Sequence, residues 1–229
     1  AFVMLGGRGA GKGTLGGWFI GLFGSHGTHI QNPGHLTGRF NSHLKSTVAL
    51  FVDEAFFVGD RAAHNVLKGL ITENRIMVEP KNVNAYPAKN RLKIIMATNE
   101  AHAIPAGTDE RRYFVTYVSD RVKQNHKYFA ELNKWWKDVG DRAFFSLLQR
   151  IDLSGFNIRK VPETAALGQQ KIESLKGIDA WLYELLQDSD RWKPKWSAQG
   201  AANDFRSYCE QKGGQYKYEG TSRSEERRV

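Results

Sequence analysis

The sequence predicts an α/β domain, a mostly parallel sheet flanked by helices, with a helical region after it. Short β-rich apolar runs carry the first half of that statement: Ala1–Leu5, Val48–Val52 and Leu92–Ala97. They are too brief for helices and too continuous for half-exposed strands, which is the pattern of strands covered on both faces. Helical periodicity lies between them, as in Arg61–Thr72 with apolar residues at Ala62, Val66, Leu67, Leu70 and Ile71. Strand alternating with helix builds layers, because each helix buries its apolar stripe on a face of the sheet.

The elements follow in order. The first strand runs into Gly6-Gly7-Arg8-Gly9-Ala10-Gly11-Lys12-Gly13-Thr14 and a helical stretch. A Gly/Asn-rich loop holding His26, His29 and His35 leads to the second strand, Val48–Val52, which ends in Asp53-Glu54. Beyond the helix Arg61–Thr72, the segment Val78–Lys93 reads as two short strands around a polar turn. The next strand ends in Thr98-Asn99, and Asp109-Glu110-Arg111-Arg112 precedes a last strand, Tyr113–Val118. After Ser119 the texture becomes helical: Tyr128–Leu148 and Thr164–Leu186 are amphipathic, joined by the loop Asp152–Pro162. Asp188–Lys195 reads as a linker, followed by one helix over about Ser197–Lys212 and a polar tail. These shifts divide the chain into 1–120, 121–190 and 191–229.

The glycine-rich segment is G-x4-G-K between a strand and a helix, the setting that a phosphate-binding loop requires. Gly6, Gly7, Gly9, Ala10, Gly11, Lys12, Gly13 and Thr14 form the expected nucleotide-binding set. Glycines let backbone N–H groups and the helix N-terminus face an anion, and Lys12 reaches the terminal phosphates. The residue after the lysine, usually Ser or Thr donating a hydroxyl to Mg2+, is Gly13 here, and Thr14 follows one position later. Asp53 is expected to hold Mg2+ on a strand beside the loop, with Thr14 as the remaining hydroxyl candidate. Glu54 is expected to polarise an attacking water, and Asn99 to orient it. Asp53 follows Lys12 by 41 positions and Asn99 follows Asp53 by 46, so three strand ends bring polar groups toward one edge. Arg111 or Arg112 reads either as a solvated turn or as an arginine finger reaching a neighbouring subunit's phosphate.

The balance of 33 Lys+Arg against 24 Asp+Glu, +9 overall, suits a polyanionic partner. In Val78–Lys93 the bases Lys81, Lys89, Arg91 and Lys93 lie with no acid between Lys81 and Asn99. They would neutralise phosphates and Tyr86 would stack on a base, or the lysines would simply protect an edge hairpin. The 41% hydrophobic and 12% aromatic content excludes a disordered chain, and no window is long and apolar enough to span a membrane. One cysteine, Cys209, allows no internal disulfide and fits a reducing interior. His26-x-x-His29 lacks the other ligands of a zinc site. Trp135, Trp136 and Trp181 fall on helical patterns and read as packing anchors. The tail bases Arg206, Lys212, Lys217, Arg223, Arg227 and Arg228 either begin a winged-helix module or form a basic disordered end.

The motif order between Gly6 and Arg112 resembles superfamily 3 helicases, and more closely the helicase part of phage and prophage primase-helicase proteins. The matching stretches are Gly34–Asn41, Phe51–Ala55, Leu67–Thr72, Met96–Glu100 and Pro105–Tyr113, within a resemblance covering about residues 1–185. It implies an AAA+-like P-loop ATPase that uses ATP and Mg2+ and assembles as a homo-hexameric ring on single-stranded DNA. It also implies a basic hairpin in the channel, a primase-polymerase domain preceding a chain such as this one, and residence in the bacterial host cytoplasm. Two other readings stay open. The loop, with Gly13 after Lys12, is close to that of adenylate-type kinases. A non-enzymatic DNA-binding scaffold with a vestigial nucleotide site is the other.

Overall fold

The computed structural model describes residues 1–32, 34–55, 60–192 and 195–212. The chain divides into two compact units, Ala1–Glu173 and Ser174–Val229, so the break falls between the sequence-derived boundaries at 120 and 190. The tail bases Lys217, Arg223, Arg227 and Arg228 lie outside the described residues.

Seven strands are present among the described residues: β1 (Phe2–Leu5), β2 (Gly27–Ile30), β3 (Ala49–Val52), β4 (Arg75–Val78), β5 (Tyr86–Lys89), β6 (Lys93–Thr98) and β7 (Phe114–Tyr117). Five of them form one sheet in the order β2-β3-β6-β1-β7, every pair parallel. All four residues of β3 are buried, as a strand covered on both faces must be. The register aligns Leu5 with Thr98 and Tyr117, so β1, β6 and β7 end level at one edge. The strand β3 pairs with β6 and not with β1, which corrects the expectation that Asp53 leaves a strand beside the phosphate loop. Asn99 leaves the intervening strand instead. The edge strand β2 falls in what reads as a loop, because Gly27-Thr28-His29-Ile30 has no apolar run and only Ile30 is buried.

The helices α1 (Lys12–Gly21), α2 (Gly34–Thr37) and α3 (Arg61–Thr72) lie within the sheet region. Four glycines make α1 a poor helix former, so packing holds it. A Cβ at Gly16 would stand 2.4 Å from the Phe51 ring, which shows how closely helix and sheet approach. Asp60 caps α3 by accepting from Ala63 N–H at 2.9 Å. The buried face of α3 is Ala63, His64, Leu67 and Leu70, leaving Val66 exposed.

Next come α4 (His126–Trp135), a π-helical turn Trp136–Gly140, and α5 (Asp141–Arg150), which follow one another without a break in helical backbone and make up the helical stretch expected over Tyr128–Leu148. Trp136 is buried and stacks on Trp18 of α1 at 4.8 Å, whereas Trp135 is exposed and is no core anchor. The expected helix Thr164–Leu186 is two helices, α6 (Ala165–Glu173) and α7 (Gly177–Gln187). Gly177 adopts φ +55°, a left-handed conformation that interrupts the helical run while the amphipathic spacing continues on either side.

In the second unit α7 packs on α8 (Ala198–Gln211) through Trp181, Leu185, Tyr208 and Cys209. Trp181 Nε1 donates to Asp204 at 2.7 Å. Among the described residues no helix is long and apolar enough to cross a membrane.

Candidate functional site

The segment between β1 and α1 turns by left-handed residues, Gly9 at φ +77° and Gly11 at φ +97°. Gly11 cannot be replaced cheaply: a Cβ there would stand 2.7 Å from the Phe129 ring. The turn starts α1 at Lys12 with no side-chain cap, so its first N–H groups are left for another acceptor. Lys12 is buried, and its ammonium donates to Gly6 O at 2.6 Å, Gly7 O at 2.8 Å and Asn99 Oδ1 at 3.0 Å. Burial lowers its pKa, opposed by the carboxylates of Asp53 and Asp120 and reinforced by Lys123.

Asp53 turns toward α1. Its Oδ2 lies 3.6 Å from where a Cβ would stand on Gly13. The position facing Asp53 is therefore Gly13, and Thr14 is rotated about 100° around the helix from it. Asp53 is thus the carboxylate that faces the start of α1, where it would hold a cation, and Thr14 follows one position along the helix.

Glu54 adopts φ +53°, uncommon for a residue with a Cβ, and its N–H donates to Asp53 Oδ1 at 3.0 Å. Ala55 N–H donates to Ala97 O at 2.9 Å, tying this turn to the end of β6. Glu54, Asn99, Thr98, Glu100 and Arg8 line one cleft of about 330 Å3. Lys12, Asp53, Glu54 and Asn99 thus gather at the C-terminal edge of the sheet.

Two contributors were not singled out in the sequence. Arg8 joins the cleft wall from inside the glycine-rich loop. Gln170 of α6 is fully buried; its Oε1 accepts from Ala103 N–H at 2.9 Å and Ile104 N–H at 3.2 Å, and its amide nitrogen donates to Ala101 O. One side chain from a distant helix therefore holds the segment that follows Asn99. Only that fixed partner set marks it, and no spacing rule would have found it.

Arg111 and Arg112 are not brought to this cleft. They precede β7, whose first residue pairs with Phe2, so they sit at the opposite edge, with the four-residue strand of roughly 13 Å between. The two also differ. Glu110, buried, accepts from both backbone N–H groups at 2.9 and 2.8 Å and from the Arg112 guanidinium at 3.2 Å. Arg111 extends into solvent.

The antiparallel pair β4–β5 is the expected hairpin, starting at Arg75 and ending at Lys89. Asn41 fixes the turn end of β4 by donating to Met77 O at 2.9 Å and accepting from Glu79 N–H at 2.8 Å. Arg75 stands opposite Lys89 on the exposed face and Lys81 lies on the turn. Arg91 is exposed beyond the hairpin, and Lys93 opens β6 in the main sheet, which corrects its assignment to the hairpin. Tyr86 is half-buried against the core, with the Lys45 ammonium 5.2 Å from its ring centre over one face. His29 stacks on Phe51 at 5.0 Å and His26 Nδ1 pairs with Ser46 O at 2.8 Å.

A family model described as a family of unknown function (DUF5906) matches residues 4–112, the stretch holding all of these motifs. No curated protein matches the chain. Among solved structures, the apo C-terminal region of NrS-1 (305–718) is similar, with a TM-score of 0.66 at 18% identity, covering 84% of this chain and 51% of that one. An A-form apo structure of the same region gives 0.63 at 19% identity, with 81% and 48% covered. This chain spans about half the length of these structures, and at such identities the likeness is one of fold.

Proposed function

We propose that the chain is the ATP-hydrolysing motor of a superfamily 3-like DNA helicase, of the kind found in phage and prophage primase-helicase replication proteins. The observation that carries this reading is the convergence of three separate strand ends: Lys12 Nζ on Asn99 Oδ1 at 3.0 Å, with Glu54 in the same cleft. The shared fold with the NrS-1 C-terminal region supports it.

In this reading ATP displaces the carbonyl oxygens from Lys12, whose ammonium then neutralises the terminal phosphates. Backbone N–H groups at the start of α1 take the remaining oxygens. Mg2+, held by Asp53 and water, would supply charge neutralisation at the β- and γ-phosphates. Glu54 accepts a proton from the attacking water and Asn99 fixes that water's orientation. The finger comes from the neighbour in a hexameric ring, because Arg111 lies at the far edge of its own sheet. The β4–β5 hairpin, with Lys81 on its turn and Arg75 and Lys89 on its exposed face, contacts the phosphates of single-stranded DNA. A covalently linked primase-polymerase domain and a site of action in the host cytoplasm complete the proposal.

The test is ATP hydrolysis by the assembled protein, with and without single-stranded DNA. DNA should stimulate turnover, and Lys12→Ala or Glu54→Gln should lower kcat by at least about 100-fold. Phosphoryl transfer to AMP in place of hydrolysis would establish the kinase reading. An assembled ring that turns over no ATP would overturn the motor.

A further inference from the structure

A second ammonium stands at the phosphate loop. The segment after β7 lies along that loop: Gln124 N–H donates to Gly9 O at 3.1 Å, and Phe129 fills the space beside Gly11. Within it, a Cβ on Gly7 would lie 2.8 Å from Lys123 Nζ and 3.1 Å from Asp120 Oδ1. Lys12 Nζ bonds the carbonyl of this same Gly7. Two lysines from distant parts of the sequence thus converge on one residue of the loop. Their charges act on each other, since Lys123 is among the groups that lower the pKa of Lys12.

Lys123 is held there by Asp120, Nζ to Oδ2 at 3.2 Å, in a pair that is 39% and 58% exposed. An exposed pair of this kind is worth little for stability and exchanges its partner readily. Gly7 carries no side chain to separate the ammonium from the loop. Bringing two cations together costs free energy that a polyanion between them returns.

We propose that Lys123 is a second phosphate-binding residue, contributed by the same chain, which leaves Asp120 for the nucleotide's terminal phosphate when ATP enters the loop. This rests on the nucleotide-binding reading above. Asp120 then acts as a competing anion that holds the lysine at the loop in the free protein. The ligand class is a nucleoside triphosphate, because the phosphate taken by Lys123 is the one that Lys12 also reaches.

Binding of ATP and of AMP to the whole chain, measured by titration calorimetry on wild type and three variants, tests this. Lys123→Ala should weaken ATP binding by about tenfold and AMP binding far less. Lys123→Arg should retain most of the affinity, and Asp120→Asn should leave it unchanged or tighten it. If Asp120→Asn weakens ATP binding as much as Lys123→Ala does, the pair only braces the loop and the inference fails. Equal ATP affinity in wild type and Lys123→Ala overturns it while leaving the nucleotide site standing. A wild type that binds no ATP overturns both.

Discussion

The two edges of the central sheet are built on opposite plans. At the C-terminal edge Lys12, one of the few buried charged groups, spends its donors on two loop carbonyls and an exposed amide, and Glu54 holds a left-handed backbone. At the N-terminal edge Glu110 is buried and takes three donors, all from the two arginines that follow it. One edge keeps its charged groups on partners that a ligand can replace. The other ties one arginine down and leaves its neighbour free. On the function proposed above, that difference would make Arg111, exposed, rather than Arg112, held by Glu110, the group offered to a neighbouring subunit.

The widest separation between the edges should come from Glu110→Ala against Arg111→Ala. Removing Glu110 strands a half-buried guanidinium and two backbone N–H groups, so chemical denaturation should show a loss of about 3 kcal/mol. Arg111→Ala should change stability by less than about 0.5 kcal/mol. In the assembled protein it should nonetheless cut ATP turnover by about 1,000-fold, the usual worth of an arginine finger. If Arg112→Ala lowers turnover without lowering stability, the roles of the two arginines are reversed.

A smaller effect sharpens the other edge. Glu54 sits at φ +53°, where a Cβ costs on the order of 1 kcal/mol, and glycine does not bear that cost. Glu54→Gly should therefore raise stability by roughly 0.5–1 kcal/mol while removing hydrolysis. A destabilised Glu54→Gly protein would mean that the carboxylate is held in place by contacts and is not strained for use.

The sequence shows the glycine-rich loop, the strand-end carboxylates and Thr98-Asn99 clearly, because each is a short local pattern at the end of a buried apolar run. It shows the edge strand β2 poorly, because an edge strand needs little burial and His29 and Thr28 carry no apolar alternation. The order of strands is not local either: nothing in Val48–Val52 says that β6 lies between it and β1. Gln170 and Lys123 are invisible for the same reason, since each lies against backbone more than 60 residues away in the chain. The break at Gly177 was hidden by a helical spacing that continues through it. Lys93 shows the limit of reading charge alone, since it belongs to the same basic run as Lys89 yet begins a different sheet.

The smallest effect concerns His64, which is buried on α3 with Nε2 lacking a hydrogen-bond partner among the described residues. Burial lowers its pKa from 6.5, Lys68 and Arg112 lower it further, and Glu110 opposes them. The folded protein therefore keeps His64 neutral where the unfolded chain would protonate it. Its contribution to stability is fully present above pH 6.5 and is lost as the pH falls from there through the lowered folded value. Denaturation midpoints should accordingly drop between pH 7.5 and pH 5, and the drop should shrink in His64→Gln. His43, shifted in the same direction, should leave part of the slope in place. A slope unchanged by His64→Gln would mean that Glu110 accepts the protonated ring. The N-terminal edge would then adjust to a new charge, and the contrast between the two edges would narrow.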